Sequence, residues 1–318
     1  SCDIDPSQLL CEYRDQIDVY EMEAELAVGP CFARHIGHRM YRGEYYAMQM
    51  DAHVTCVQDW DVDIIDQQKV TKNEMAVQTT YLSDVEGSID PKTGLSLRKT
   101  RPIMCNTDYE KNQQGTFLRH NSQPEGRSEI HGSPQLEPYW AAGFSFGRGH
   151  FIVNVPYDQY LPMIFLGEEM SIGIRGFTYG YDFYAPEKSI VFHSYAKHHP
   201  ERNNVKHFWE HSKLYEGVGK RAMNRVLGVI SMNPEVPESE WDHAELDKYG
   251  VGRVRTVDKF YKTIGIDVQK KTSPGSKTCD FVKNYMHQHF HQHLRPDGMG
   301  IDYGKIDFEY DRDFKNQH

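Results

Sequence analysis

No apolar run in this chain of 318 residues approaches the roughly 18 that a membrane-spanning helix needs, so no segment reads as a span. The opening stretch, SCDIDPSQLL, carries none of the charged, apolar and small-residue regions of a secretory leader. Positive charge is also scarce: 36 Lys and Arg face 46 Asp and Glu, giving a net charge of -10. That balance argues against a nucleic-acid backbone or an anionic membrane as the main partner. There is no N-x-S/T sequon and no C-x-x-C pair. The six cysteines (Cys2, Cys11, Cys31, Cys56, Cys105 and Cys279) are scattered, which excludes a zinc ribbon or a thioredoxin-type motif. With Cys31 and Cys56 in apolar-leaning surroundings, free thiols and a reducing, cytoplasmic setting are expected. No G-x-G-x-x-G follows a strand, and GVGKRA lacks both the earlier glycine and the Ser/Thr of a phosphate-binding loop. A G-x-S-x-G elbow, a Cys/His nucleophile pair, repeats and coiled coils are missing as well.

What is present is a globular composition. The apolar fraction is 38%, and 25 glycines bring it into the ordinary range. Mean hydropathy is -0.70, so surface and loops are unusually polar. The length fits one large domain or a domain with an elaboration. Residues 17–26 (IDVYEMEAEL) predict a strand. PCFARHIGHRMYRG predicts a helix that opens on Pro30 and closes at Gly43. YYAMQM predicts a strand, DWDVDIIDQQKV a helix, and AVQTTYL a further strand. A βαβαβ run of this kind implies parallel strands with right-handed crossovers, and ligands bind off the carboxyl ends of such strands. From residue 83 to 137 the chain reads as a long polar loop with only RPIMC as a strand. Loops this long are usually functional or mobile, and Arg98, Lys99 and Arg101 are expected to offer positive charge to a substrate. A boundary is expected at residues 204/205, dividing a catalytic domain (1–204) from a C-terminal helical extension (205–318).

The chemistry gathers where the apolar strand stops. Asp51 and His53 leave it at i and i+2, on one side, and offer a hard carboxylate and an imidazole to Mn²⁺, Mg²⁺ or Zn²⁺. His193 ends the other strongly apolar strand, SIVFH, and completes a set of one carboxylate and two histidines. Such a set serves a sugar-nucleotide transferase or an Fe(II) oxygenase. The oxygenase pattern runs in the reverse order and sits on a jelly roll, so the first fits better. Glu168 and Glu169 follow Gly167 at a helix start, where one of two consecutive carboxylates must point inward. His287, His289, His291 and His293 alternate, and in a helix they form neighbouring pairs. A polar or interfacial helix face is expected there rather than a metal site.

Four ordered blocks, GPCFARH…YRGEYYAMQMDAHVTCVQDWD, WAAGFSFGRGHFI, VPYDQYLPMIFLGEEMSIGIRGFTYGYDFYAP and VFHSY, resemble glycosyltransferase family 60. These are GT-A-fold N-acetylglucosaminyltransferases acting on peptidyl hydroxyproline in a ubiquitin-ligase adaptor subunit. The blocks are more distantly similar to polypeptide N-acetylgalactosaminyltransferases. The resemblance implies an α/β, Rossmann-like mixed sheet with flanking helices and a C-terminal helical extension. It also implies transfer from a UDP-sugar, UDP-GlcNAc above all, with Mn²⁺ or Mg²⁺. Asp51 and His53 match the metal-binding D-x-H, and His193 matches the distant third ligand. Arg34 matches the helix arginine facing the diphosphate. Trp140, Ala142 and Gly143 match the floor near the donor sugar, and Glu168 and Glu169 match the carboxylates near the sugar hydroxyls. Only 28 residues precede Gly29, so the family's first strand is expected to lie outside this sequence, and no uridine-binding residue is assigned.

The resemblance implies a retaining transfer to a protein hydroxyl. The cation neutralises the leaving diphosphate, and a phosphate oxygen takes the acceptor's proton. A non-catalytic module that binds sugar nucleotide or glycoprotein stays open beside it.

Overall fold

Residues 4–112, 115–126, 133–195 and 207–315 are described in a computed structural model of the chain. Gly29, at φ 106°, and Pro30 open the first helix, α1 (Pro30–Arg39). The glycine takes a backbone conformation that a side chain disfavours. The proline presets the first turn, where its missing N–H would have no partner anyway. Cys31 and His35, four residues apart, form the buried stripe of α1, while Arg39 suits the negative end of its dipole. The chain then runs through β1 (Tyr46–Met50), β2 (Val54–Cys56), α2 (Trp60–Val70) and β3 (Ala76–Thr79). β4 (Thr107–Asn112) and β5 (Gly115–His120) form a hairpin, followed by β6 (Gln135–Glu137) and β7 (Phe144–Arg148). After α3 (His150–Asn154) and α4 (Glu168–Thr178) come β8 (Asp182–Ala185) and β9 (Val191–His193).

The main sheet has five strands in the order β1-β7-β3-β8-β6, and β2 pairs separately with β9. β7 is antiparallel to both β1 and β3, β8 is parallel to β3, and β6 is antiparallel to β8. The sheet is therefore mixed, as expected, but β1 and β3 are not neighbours: β7 lies between them. Apolar patterning indicates that a segment is a strand, not which strand lies beside it. β1 is accordingly a half-buried edge strand rather than a buried one.

Both sheet faces are covered. Phe144 and Phe146, two apart on β7, join Ile64 of α2 and Phe192 of β9 in one apolar cluster. On the other face, Val77 and Phe183 belong to a larger cluster with Ile172 and Phe177 of α4. The same cluster takes in residues from α5 (Val218–Val229) and α7 (Val257–Ile264), together with Phe281 of α8 (Lys277–Phe281). The expected boundary near residue 204 lies outside the described residues. Among the described residues, no helix is long and apolar enough to cross a membrane.

Three further expectations are corrected. Residues 17–26 form no strand: only a 3₁₀ turn at Ala24–Leu26 appears, and Ile17, Val19 and Tyr20 are exposed. An alternating pattern without a lateral partner gains no ladder of hydrogen bonds. RPIMC is buried and, among the described residues, makes only an isolated bridge at Pro102 to Glu125 in place of a strand, and the supposed loop holds the β4–β5 hairpin. Arg101, expected to offer charge to a substrate, is buried and donates to the Pro186 carbonyl. Its apolar neighbours Ile103 and Met104, with Phe117 and Leu118, anchor this region in the core.

The cysteines also differ from expectation. Cys31 and Cys56 are free, as expected, but Cys105 and Cys279 form a disulfide across 174 residues, and Cys11 is disulfide-bonded too. Spacing could not reveal a pair so far apart in sequence. Disulfides are the mark of oxidising compartments, which runs against the reducing setting that spacing suggested. Replacing Cys279 with serine is expected to lower stability by about 2–4 kcal/mol, because so long a loop is then no longer closed in the unfolded chain. Urea unfolding of the two proteins measures this, and equal midpoints would show that the bridge contributes nothing.

The histidine run lies where α8 continues through a π turn (Val282–Met286) into α9 (His287–Phe290). His287 and His291 stack at 4.9 Å, and His291 Nδ1 lies 3.2 Å from the Tyr184 hydroxyl.

Candidate active site

The carboxyl ends of β1 and β3 and the amino end of β7 share one edge of the sheet, because β7 runs opposite to both. The chain leaves β1 at Asp51, leaves β3 toward Tyr81, and enters β7 from Ala142 and Gly143. A cleft of about 720 Å³ opens on this edge. It is lined by Arg34, Asp51, Tyr81, Glu168, Glu169 and His193, with Arg119–Ser122 at and just beyond the end of β5. The polar segment 83–137 thus reaches the cleft through the end of its hairpin, not through Arg98–Arg101.

Arg34 ties the site together. Its guanidinium meets Asp51 Oδ1 at 2.7 Å and Glu168 Oε1 at 2.5 Å, joining α1, the end of β1 and the start of α4. Burial alone would lower its pKa, but Tyr157, Glu168 and Asp51 together raise it. Asp51 also anchors its backbone N–H to the Gly143 carbonyl at 3.0 Å. A side-chain carbon on Gly143 would lie 3.2 Å from Asp51 Oδ2, so the glycine leaves room for that carboxylate.

Gly167, at φ 96°, turns the chain into α4 and delivers Glu168 and Glu169 to the helix's positive end. Glu168 is only 3% exposed, and the Tyr157 hydroxyl donates to its Oε1 at 2.5 Å. Glu169 accepts from the Ala142 N–H and from the Tyr81 hydroxyl, each at 2.9 Å. Burial raises the pKa of both carboxyls. Arg34 and Tyr157 oppose the rise at Glu168, and Ala142 and Tyr81 oppose it at Glu169.

His193 Nε2 stands 3.9 Å from Asp51 Oδ2, so two of the three expected metal donors come together. The third, His53, sits on the turn after β1 with its ring centroid 6.1 Å from that of His193, and it does not line the cleft. Among the described residues, no group of three or more His, Cys, Asp or Glu is gathered as a metal site. The donor chemistry of Asp51 and His193 still suits a divalent cation, and the cleft's charge favours one: Asp51, Glu168 and Glu169 outnumber Arg34 and Arg119. Trp140 does not line the cleft. It is buried, with its Nε1–H donating to Ser145 Oγ at 2.9 Å and its carbonyl meeting His120 Nε2 at 3.1 Å.

Gln49, Tyr81 and Tyr157 escaped the sequence reading. Gln49 alone carried a signal, since it lies two positions before Asp51 and hence on the same side of β1.

A profile of the family described as Glycosyltransferase (GlcNAc) matches residues 4–270. No curated protein matches the sequence. Among solved structures, the chain is similar to one described as "Crystal structure of GalNAc-T7 with UDP, GalNAc and Mn2+", with a TM-score of 0.49 and 16% identity. The match covers 83% of this chain and 49% of that one, so this chain spans about half the length of that relative.

Proposed function

From the premise that this chain belongs to the glycosyltransferase (GlcNAc) family, we propose that it moves N-acetylglucosamine from UDP to a protein hydroxyl. The observation that carries the reading is the Arg34 guanidinium clamped between Asp51 and Glu168 at the mouth of an acidic cleft. A diphosphate needs a cation at one end and its sugar needs hydrogen-bond acceptors at the other, and this cleft offers both. The mixed sheet with its site at the strand ends is the frame that a GT-A reading requires. The same sheet is unlike the jelly roll of the Fe(II) oxygenases. Family 60 membership, with hydroxyproline in an adaptor subunit as acceptor, is the finer form of the proposal, supported by the four sequence blocks.

Arg34 would meet the diphosphate once the sugar nucleotide enters. Glu168 and Glu169, held at the start of α4, would accept hydrogen bonds from the sugar hydroxyls, and Ala142 and Gly143 would form the floor beside them. A Mn²⁺ or Mg²⁺ ion, with Asp51, His193 and His53 as its donors, would supply charge neutralisation for the leaving group. The division into a catalytic part, 1–204, and a helical extension, 205–318, belongs to the same proposal.

The test is UDP release from UDP-GlcNAc, UDP-GalNAc and UDP-glucose with Mn²⁺, with and without a hydroxyproline peptide. Release is expected to be greatest with UDP-GlcNAc, to rise with the peptide and to be lost with a chelator. His193→Ala is expected to abolish it without unfolding the chain, since it removes a donor at a strand end and not core volume. Binding of UDP-GlcNAc without release under any condition would leave the protein a sugar-nucleotide binding module instead.

A further inference from the structure

Glu168 is held from two sides by groups that converge on one oxygen. Arg34 and the Tyr157 hydroxyl both donate to Oε1, each at 2.5 Å. Tyr157 is 1% exposed, and its single hydroxyl proton is used on Glu168. Its oxygen is therefore an acceptor toward its other neighbour, and Gln49 Nε2 donates to it at 3.0 Å. The same Gln49 nitrogen donates to the Ala142 carbonyl at 2.7 Å. The hydroxyl is thus oriented by a side chain on the strand that ends in Asp51, and that side chain also holds the floor of the cleft.

Two donors fill the accepting capacity of Oε1, so a further hydroxyl must bind at Oε2. A carboxylate with a single donor can swivel about its Cγ–Cδ bond, whereas two donors arriving from different elements stop that rotation. The Tyr157 ring is also held by a T-shaped contact with His38, at 4.8 Å between centroids. Loss of the hydroxyl alone would therefore leave the ring where it is.

We infer that Tyr157 is a positioning residue for sugar transfer: oriented by Gln49, it locks Glu168 so that Oε2 is the oxygen presented to a hydroxyl of the donor sugar. This rests on the transferase reading above, in which Glu168 binds the sugar.

The test is a double-mutant cycle of Tyr157→Phe and Glu168→Gln in the UDP-release assay, with kcat and donor KM determined for all four proteins. Tyr157→Phe is expected to lower kcat by about tenfold, as loss of a hydrogen bond to a charged group should, with donor KM little changed. In the Glu168→Gln background the same substitution is expected to change kcat by less than about twofold, because the group it positions has already been altered. Gln49→Met removes the orienting donor with little change of volume. It should reproduce a smaller kcat loss, again absent in Glu168→Gln, and it serves should Tyr157→Phe fail to fold. Equal losses in both backgrounds, or wild-type kcat in Tyr157→Phe, would overturn the inference while leaving the transferase reading intact. A wild-type protein without UDP release would overturn both.

Discussion

Glu168→Gln is expected to cut sugar transfer by about 10² or more, roughly 3 kcal/mol of transition-state stabilisation, while UDP binding stays within a few-fold of wild type. The amide keeps the shape of the carboxyl and an oxygen for Arg34 and Tyr157, so the helix start should stay in place. What it loses is charge where a sugar hydroxyl would donate, in a spot only 3% exposed, where a charge-assisted hydrogen bond counts for more than it does in water. The measurement is steady-state UDP release beside UDP affinity by calorimetry. Turnover equal to wild type would reduce Glu168 to a charge that suits the helix dipole.

Arg34→Ala is expected to act on stability as well as on turnover. It leaves Glu168 buried without its cation, at a cost of about 3 kcal/mol, the low end for a broken buried pair because the carboxyl can take up a proton and Arg34 is partly exposed. The pH dependence has a definite sign. In the folded protein burial raises the pKa of Glu168 above that of an ordinary glutamate. Such a carboxyl binds its proton more tightly folded than unfolded, so it costs stability as the pH rises from the unfolded value through the folded one. Removing Arg34 takes away a group that opposes the rise, and the window in which stability falls extends to higher pH. The deficit of the variant relative to wild type should therefore be larger at pH 8 than at pH 5 by urea unfolding. A deficit independent of pH would mean that Arg34 does not alter the proton affinity of Glu168 in the folded protein. Loss of UDP binding in the same variant would link the stability clamp to the donor site.

Both predictions concern residues that the sequence had already singled out, Arg34 through the family resemblance and Glu168 for a local reason. Glycine before a helix, proline at its first turn, and an apolar run ending on Asp-Ala-His are set within a few residues by φ preferences and by alternation along a strand. Asp51, Glu168 and His193 could therefore be named before any distance was known, whereas Arg34 and Gly143 were named only through the family resemblance. α1, α2, β1 and β3 were legible for the same reason, since each carries its own period and its own start or stop.

What the chain could not disclose by itself is who stands beside whom. β7 enters between β1 and β3 from more than 60 residues downstream of β3, and that insertion brings Ala142 and Gly143 against Asp51. Gln49 and Tyr157 lie 108 residues apart, and nothing near either forecasts their hydrogen bond. The Cys105–Cys279 bridge and the burial of Arg101 are of the same kind. His53 shows the same limit: its spacing from Asp51 suggests a shared ligand set and its ring centroid lies 6.1 Å from that of His193, but only the fold shows that it stands outside the cleft lining. Residue type and local period decided which side chains are candidates for chemistry and which segments form helices or strands. Lateral strand order and packing across the sheet, which depend on long-range burial that no local pattern encodes, decided which of those side chains meet.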